Sequence, residues 1–263
     1  MPTDPAELAE LLELATAAAH AAAELLVDGR AHARATTATK SSSTDMVSEM
    51  DRAAEALIRQ RLLGARPGDG FLGEEGGAAP TSDGGVRWVV DPLDGTTNYL
   101  YDHAGWNVSI AAEDGDGPLV GVVFDPIRHE TFAAVRDGGA TRDGQRIGCS
   151  ALADLRLALC GTGFAYDPER RGRQAAVLRD VLPRIRDIRR VGAAALDLCS
   201  VACGRIDAYW ERGLGPWDLA AGGLIAREAG ATVRADDGLV LAAGPTIFDE
   251  LHDILVDAGA ESA

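Results

Sequence analysis

The stretch 88–98 constrains this chain most, because it joins a strand end to two acids. Its apolar residues 88–90 predict the end of a buried strand. Asp91 and Asp94 follow, and the Thr-Thr-Asn sequence after Gly95 predicts the start of a helix. Carboxylates there can hold a cation, and the N–H groups of a helix N-terminus can hold a phosphate. Two solvated acids in a surface turn would be the simpler interpretation, but an unpaired charge beside a buried strand is costly.

The composition is that of a globular protein and argues against nucleic-acid binding. The 263 residues are 46% hydrophobic and 25% charged, with a net charge of −16. These fractions are ordinary for a globular protein, and a chain of this length can bury a large core. The acidic charge argues against nucleic-acid binding, which needs a basic face. It still permits an anionic substrate if divalent cations line the site.

The sequence indicates a cytoplasmic protein without a membrane span. Residues 1–7 lack the features of a secretion signal, and the alanine-rich run 11–27 is too polar and too short to cross a bilayer. Cys199 and Cys203 share the face of an expected helix, but two soft ligands without a second pair make a poor zinc site. Free thiols in a reducing cytoplasm are therefore expected.

Strands and helices are mixed along the chain, which predicts one compact α/β body. We find no repeat or linker that divides residues 1–263, so a single domain is expected. Gly29 is expected to end the first helix, and a flexible loop with Lys40 is expected over 31–45. The expected helices are 5–28, 48–63, 169–182, 193–204, 219–229 and 247–258. The expected strands are a short one at Phe71 and those at 107–113, 119–124, 131–136, 157–161, 187–191, 207–211, 231–234 and 239–242.

Further acids stand at the ends of expected elements. Glu74 and Glu75 follow an apolar strand, where neighbours point to opposite faces, so both would face one site only if the glycine pair after them turns the chain. At least one of them is a candidate ligand. Asp218 begins a helix, where capping is the simpler interpretation. Asp51 is expected in the first turn of the second helix, where an acid needs no other explanation.

The chemistry of these acids points to hard cations. No histidine lies among them, which argues against zinc and iron, and oxygen ligands favour Mg²⁺, Mn²⁺ or Ca²⁺. Converging carboxylates repel one another unless cations separate them. Two cations about 3.5–4 Å apart are a familiar arrangement for phosphoryl hydrolysis. Whether the acids converge is left open by the sequence.

Three motifs resemble the signatures of the inositol monophosphatase family, and their order and spacing agree with it. They are Gly73-Glu74-Glu75, Asp91-Pro92-Leu93-Asp94-Gly95-Thr96-Thr97-Asn98 and Trp217-Asp218-Leu219-Ala220-Ala221-Gly222. The resemblance covers essentially the whole chain. Within the family, the chain is similar to bacterial members of the extragenic-suppressor type. The resemblance implies a layered αβαβα sandwich, a homodimer and some sensitivity to lithium.

The resemblance also implies a set of metal ligands. Glu74, Asp91 and the carbonyl of Leu93 would hold one Mg²⁺. Asp91, Asp94 and Asp218 would hold a second Mg²⁺, and a weaker third would lie near Glu74. Mn²⁺ could substitute for Mg²⁺ at these positions.

Catalytic roles follow from the same resemblance. Thr96, paired with Asp51, would orient and help to deprotonate the attacking water, with Glu74 beside them. The N–H groups of Gly95 and Thr96 would hold the phosphate. The implied mechanism is in-line attack of metal-activated water on a phosphomonoester, without a covalent phosphoenzyme.

Glu211 is the best indication of the substrate alcohol, because it precedes Asp218 by the spacing of the family's inositol-contacting glutamate. Gly192 and Ala194 match backbone contacts to the substrate, whereas residue 193 is Ala where relatives often carry a hydroxyl. The implied substrate-binding set is Asp94, Gly95, Thr96, Gly192, Ala194, Glu211 and Asp218.

Inositol 1-phosphate is the expected substrate, and two alternatives stay open. The first is a related phosphatase acting on fructose 1,6-bisphosphate, histidinol phosphate or a 3′-phosphonucleotide. The second is a metal-binding regulatory protein that has lost catalysis.

Overall fold

Two β-sheets and seven α-helices make up the described part of this computed structural model, residues 4–36, 43–82 and 85–262 without the side chains of 31–36 and 43–48. The helices are α1 (Pro5–Thr36), α2 (Ser43–Ala65), α3 (Thr96–Leu100), α4 (Pro168–Val181), α5 (Ala194–Ala202), α6 (Pro216–Glu228) and α7 (Pro245–Asp257). The strands are β1 (Gly70–Gly73), β2 (Ala78–Ala79), β3 (Arg87–Asp94), β4 (Asn107–Asp114), β5 (Gly117–Asp125), β6 (Glu130–Val135), β7 (Gly139–Arg142), β8 (Gln145–Arg146), β9 (Leu159–Thr162), β10 (Asp187–Arg189), β11 (Ala208–Arg212), β12 (Thr232–Asp236) and β13 (Leu239–Ala243).

The two sheets are both mixed. The larger has the strand order β2-β1-β3-β4-β5-β6-β7-β8, and the smaller has the order β10-β9-β11-β13-β12. β1 and β3 run parallel, with Gly73 opposite Val90, and β3 pairs antiparallel with β4 on its other side. The parallel register brings the residues that follow Gly73 and Val90 to the same edge of the sheet. Glu74, the first residue after β1, therefore lies beside Asp91 of β3.

The central strands bury both faces, and the elements stack in five layers. Trp88 and Val90 of β3 pack with α1 and α2, whereas Val89 faces the core formed by α5 and α6. Along β11, Tyr209 faces that same middle core, and Trp210 faces the outer core with α4 and α7. This alternation follows from the period of two in a strand. The order helix, sheet, helix, sheet, helix confirms the predicted αβαβα sandwich.

Gly29 does not end the first helix, contrary to the sequence prediction. α1 continues through it to Thr36. A Cβ at Gly29 would lie 2.3 Å from the terminal methyl carbon of Met50 in α2. The end of the Met50 side chain therefore occupies the space that a Cβ at position 29 would take.

The second helix also begins earlier than predicted. α2 starts at Ser43, so the expected loop over 31–45 is helical at both of its ends. Lys40 lies outside the described residues. Asp51 is consequently well inside α2 rather than in its first turn, and only 3% of its surface is exposed. The interpretation of Asp51 as a solvated first-turn acid is therefore wrong.

The other predicted elements are present with small shifts at their ends. The meander of β4, β5 and β6 and the helices α4 to α7 lie where the pattern placed them. The prediction missed the short strands β2, β7 and β8, which carry few large apolar residues. Within the residues described, no helix is both long enough and apolar enough to cross a membrane.

Candidate active site

Three carboxylates from two elements converge at the end of β3. Asp91 and Asp94 come from the strand and Asp218 from the first turn of α6, and one oxygen of each lies within 4.8 Å of the others. Asp91 and Asp94 are 1% and 7% exposed, and Asp218 is half-buried. The convergence that the sequence left open is thus present.

A bulge in β3 lets both of its acids face one way. Asp91 pairs with Ser109 and Asp94 with Asn107, so three steps along β3 match two along β4. Residues three apart on a regular strand point to opposite faces. One extra residue in the strand reverses the second side chain, and Asp94 joins Asp91 on the same side.

Local hydrogen bonds fix this bulge. The Leu93 N–H donates to Asp91 Oδ1 at 3.0 Å, and the Thr96 hydroxyl donates to the Leu93 carbonyl at 3.1 Å. The side-chain amide of Asn107 and the backbone N–H of Ala195 donate to Asp94 Oδ2 at 2.8 and 2.9 Å. The second carboxylate is therefore aimed by β4 and by the start of α5.

Asp218 caps its helix and also belongs to the carboxylate triad. Its Oδ2 accepts the N–H of Gly215 at 2.7 Å, which gives α6 the reciprocal half of a capping box. The capping interpretation and the metal interpretation are compatible, because a carboxylate has several acceptor positions.

Glu74 lies at the rim of the triad, in the turn after β1. The residue as a whole is exposed, but its carboxyl group turns inward next to that of Asp91. Burial of the carboxyl raises the pKa of Glu74, the contact with Asp91 opposes this rise, and the charge of Asp94 adds to it. Its neighbour Glu75 instead faces Arg52, at 3.6 Å.

The electrostatics of the triad are those of a cation site. Burial raises the pKa of Asp91 well above its usual range, and the charges of Asp94, Glu74 and Asp218 raise it further. Burial and the charge of Asp94 raise the pKa of Asp218 to about 7. Buried carboxylates that repel one another and offer only oxygen ligands fit Mg²⁺ or a similar hard cation.

The triad lines a cleft with a volume of about 270 Å³. Every site residue predicted from the sequence except Asp51 contributes to its wall. The lining residues are Glu74, Asp91, Leu93, Asp94, Gly95, Thr96, Phe164, Ala165, Tyr166, Arg170, Arg190, Gly192, Ala194, Glu211, Arg212, Gly213, Leu214 and Asp218.

Asp51 lies behind the acids of the β1 turn. Burial and the charges of Glu75 and Glu74 raise its pKa to about 8. Its Oδ1 is buried and has no hydrogen-bond partner among the described residues. The Thr96 hydroxyl donates to the Leu93 carbonyl, and no hydrogen bond joins it to Asp51 among the described residues.

The turn into α3 requires glycine. Gly95 has a φ of 89°, and a Cβ there would lie 2.6 Å from the carbonyl oxygen of Gly105. L-residues rarely adopt this left-handed conformation. The glycine therefore allows β3 to pass directly into α3 at the wall of the cleft.

Glu211 stands at the opposite side of the cleft on β11. The Tyr209 hydroxyl donates to Glu211 Oε2 at 2.6 Å, and a Cβ at Gly163 would lie 1.8 Å from the same oxygen. Burial raises the pKa of Glu211, while the Tyr209 hydrogen bond and the charges of Arg190 and Arg170 oppose the rise. The Glu211 carboxylate therefore packs directly against the backbone of Gly163.

The sequence analysis missed three residues of the cleft that carry chemistry. Tyr166 is exposed, but its hydroxyl lies 3.2 Å from that of Thr97 across the mouth. Arg170 and Arg190 lie close enough to Glu211 to influence its charge. The available signal was the occurrence of arginine-rich segments near residues 170 and 190 in an otherwise acidic chain.

Comparison with known proteins decides the family. The sequence profile described as the inositol monophosphatase family matches residues 7–255. The chain belongs to this family. Members are metal-dependent phosphatases, so the chain is a phosphatase, and its buried carboxylate triad could bind metal.

Two curated relatives and one solved structure are similar to this chain. The inositol-1-monophosphatase SuhB of Mycobacterium tuberculosis strain H37Rv is 45% identical over 227 residues, covering 81% of this chain and 78% of the relative. The solved structure of Mycobacterium tuberculosis SuhB has a TM-score of 0.85 and 40% identity, covering 97% of this chain and 98% of that one. Nus factor SuhB of Pasteurella multocida strain Pm70 is 38% identical over 250 residues, covering 92% of this chain and 94% of the relative.

Proposed function

We propose that this phosphatase hydrolyses inositol 1-phosphate to inositol and phosphate with the help of Mg²⁺. The observation that carries the proposal is the carboxylate triad, whose oxygens lie within 4.8 Å of one another in the same cleft as Glu211. Acids on one side suit a cation and its phosphate, and the glutamate on the other side suits the hydroxyl groups of an alcohol.

The ligand roles are distributed as the resemblance implies. Glu74, Asp91 and the Leu93 carbonyl would hold one Mg²⁺, and Asp91, Asp94 and Asp218 would hold another, with a weaker third near Glu74. When bound, these ions supply the positive charge that activates water and neutralises the leaving oxygen. Asp91 belongs to both sets, in agreement with its position among three other acids.

Thr96 and Asp51 would handle the proton of the attacking water. In the structure, the Thr96 hydroxyl donates a hydrogen bond to the Leu93 carbonyl, whereas Asp51 Oδ1 lacks a hydrogen-bond partner among the described residues. In the proposed role, Thr96 would donate to Asp51 instead of to the Leu93 carbonyl, which would be one of the groups that hold a cation. Thr96 would then accept the proton of the water, and the N–H groups of Gly95 and Thr96 would receive the phosphate.

Glu211 would select the alcohol. Its carboxylate is fixed by Tyr209 and can accept hydrogen bonds from two hydroxyls of a polyol. The backbone at Gly192 and Ala194 lines the same part of the cleft and would complete the contacts. Ala193 offers no hydroxyl for a further contact, so inositol would be held mainly by Glu211 and backbone groups.

A sugar bisphosphate such as fructose 1,6-bisphosphate is the second candidate substrate. Arg170 and Arg190 line the cleft, and neither forms an ion pair with another residue in the described part of the chain. Guanidinium groups bind phosphate through paired hydrogen bonds. They could hold a second phosphate at the alcohol end of the substrate.

A panel of phosphate esters with Mg²⁺ separates the candidates. We expect the highest kcat/KM for inositol 1-phosphate, and Arg190→Ala should change this value by less than about threefold. If the bisphosphate is the physiological substrate, it will have the highest kcat/KM and Arg190→Ala will lower that value by about 10-fold or more, the effect of losing a charge-assisted contact of about 1.5–3 kcal/mol. Absence of phosphate release from every ester would contradict the proposal and favour a regulatory protein without catalysis.

We further propose that the protein is a cytoplasmic homodimer with some sensitivity to lithium and no nucleic-acid or membrane partner. The four cysteines are free thiols, which supports a reducing compartment. The acidic net charge of −16 supports a small-molecule phosphomonoester, rather than a nucleic acid, as the partner.

A further inference from the structure

One buried glutamate on α2 holds the turn that follows β1. Glu55 is 7% exposed. Its Oε2 accepts the backbone N–H of Glu75 and its Oε1 accepts that of Gly77, both at 2.9 Å. Both carboxylate oxygens are thus used to fix the backbone of a single turn.

The turn is shaped to receive this carboxylate. A Cβ at Gly73 would lie 2.0 Å from Glu55 Oε2, and a Cβ at Gly77 would lie 2.4 Å from Oε1. Neither glycine has the left-handed conformation that favours glycine on backbone grounds. Their bare backbone therefore serves the close approach of Glu55.

The turn held in this way carries Glu74. This residue lies between Gly73 and Glu75, so its backbone is bounded on one side by the steric contact and on the other by the hydrogen bond to Glu55. Its carboxyl group lies next to that of Asp91 at the rim of the triad. Any looseness of the turn would displace this carboxyl relative to the triad.

We infer that Glu55 is a positioning residue, which sets the divalent-cation affinity of the cleft by fixing the turn that carries Glu74. The inference rests on the proposed function, because it takes Glu74 as a cation ligand. Groups that orient metal ligands without touching the metal typically contribute about 10–100-fold to affinity.

We call a helical glutamate that accepts two backbone N–H groups of one turn a clamp, and the chain contains a second clamp whose turn is not part of the cleft. Glu228, at the end of α6, accepts the N–H groups of Asp137 and Gly139 at 2.8 Å each and fixes the turn between β6 and β7. The two clamps share a helical glutamate and two N–H donors two residues apart. Glu228 lies ten residues beyond Asp218 on α6, or about 15 Å along the helix axis.

Replacement of each clamp by glutamine separates positioning from mere stability. In Glu55→Gln and Glu228→Gln, one acceptor oxygen becomes an NH₂ group that faces an N–H donor, so each turn loses one hydrogen bond. Mn²⁺ binding to the whole chain would be measured from the electron paramagnetic resonance signal of the free ion. Thermal unfolding in EDTA would report stability without cations.

We expect Glu55→Gln to weaken Mn²⁺ binding about 10-fold or more, and Glu228→Gln to leave it unchanged although it too loses a hydrogen bond. Wild-type affinity in Glu55→Gln, or equal weakening in both variants, would overturn the inference. If Glu55→Gln does not unfold cooperatively, Glu55→Asp, which keeps the charge but shortens the reach, takes its place with the same two outcomes. Failure of the wild-type protein to bind Mn²⁺ would instead contradict the proposed function.

Discussion

At the scale of single residues, the site is built from acids whose like charges repel one another. Burial and the charge of Asp94 raise the pKa of Asp218 to about 7, well above the value of about 3.9 for an unfolded chain. Between these values the folded cation-free protein keeps a proton that the unfolded chain releases. The free energy of unfolding therefore falls as the pH rises through this window, and the loss is complete above about pH 7.

Asp218→Asn removes this repulsion and should stabilise the cation-free protein at pH 8 by about 1 kcal/mol relative to its effect at pH 4. Asn can still cap α6 by accepting the Gly215 N–H. Urea unfolding in EDTA at both pH values measures the difference. Asp167→Asn is the control, because Asp167 is an exposed cap of α4 that accepts the N–H of Arg170. A stabilisation by Asp218→Asn that does not depend on pH would contradict this account.

At the scale of elements, the position of α6 against the larger sheet decides where Asp218 lies. A Cβ at Gly121 of β5 would lie 3.0 Å from the Cα and 3.1 Å from the carbonyl oxygen of Ala221 in α6. Backbone atoms cannot move aside as a side chain can. The glycine therefore sets the distance at which the helix packs, one turn away from the carboxylate.

Gly121→Ala should push α6 from the sheet, lowering stability by about 1–3 kcal/mol, as overpacking does. It should also raise the Mg²⁺ concentration for half-maximal phosphatase activity, since Asp218 moves with its helix. Gly115→Ala is the control, because a Cβ there meets nothing within 4 Å. Urea unfolding and a Mg²⁺ titration of activity test both effects, and a variant with wild-type values of both would show that the packing adapts.

Elements with a regular apolar pattern could be predicted from the sequence, whereas features that depend on contacts between distant residues could not. The buried strand at 88–90 and the meander from Asn107 to Val135 lie where the pattern placed them. α1 continues through Gly29, where Met50 of α2 packs against the glycine, a contact between distant residues. No local pattern records such a contact, so a breaker was predicted where the helix continues.

The converging carboxylates could be predicted because their motifs are local, whereas the residues that support them lie elsewhere in the chain. Asp91, Asp94 and Asp218 were found from short motifs. Arg190 lines the cleft from the loop before α5. Glu55 reaches the turn after β1 from α2. Roles assigned by resemblance to Thr96, Asp51 and the ligand set stay predictions.

At the scale of the whole molecule, the cleft lies where three layers meet. Asp91 and Asp94 come from the eight-stranded sheet and Glu74 from the turn after its strand β1, whereas Asp218 comes from the helical layer between the sheets and Glu211 from the five-stranded sheet. The net charge of −16 repels an anionic substrate at long range, so local cations are needed to bring a phosphate among these acids. A single domain over residues 1–263 stays a prediction.

The most direct measurement is phosphate release from inositol 1-phosphate as a function of Mg²⁺ concentration, for the wild-type protein and Asp94→Asn. The account predicts saturable activity in the wild-type protein, no activity in EDTA, and a kcat/KM at least about 100-fold lower in Asp94→Asn. The substitution keeps the size of the side chain, and the amide oxygen of Asn can still accept the hydrogen bonds from Asn107 and Ala195, so folding should survive. Full Mg²⁺-dependent activity in Asp94→Asn would contradict the account.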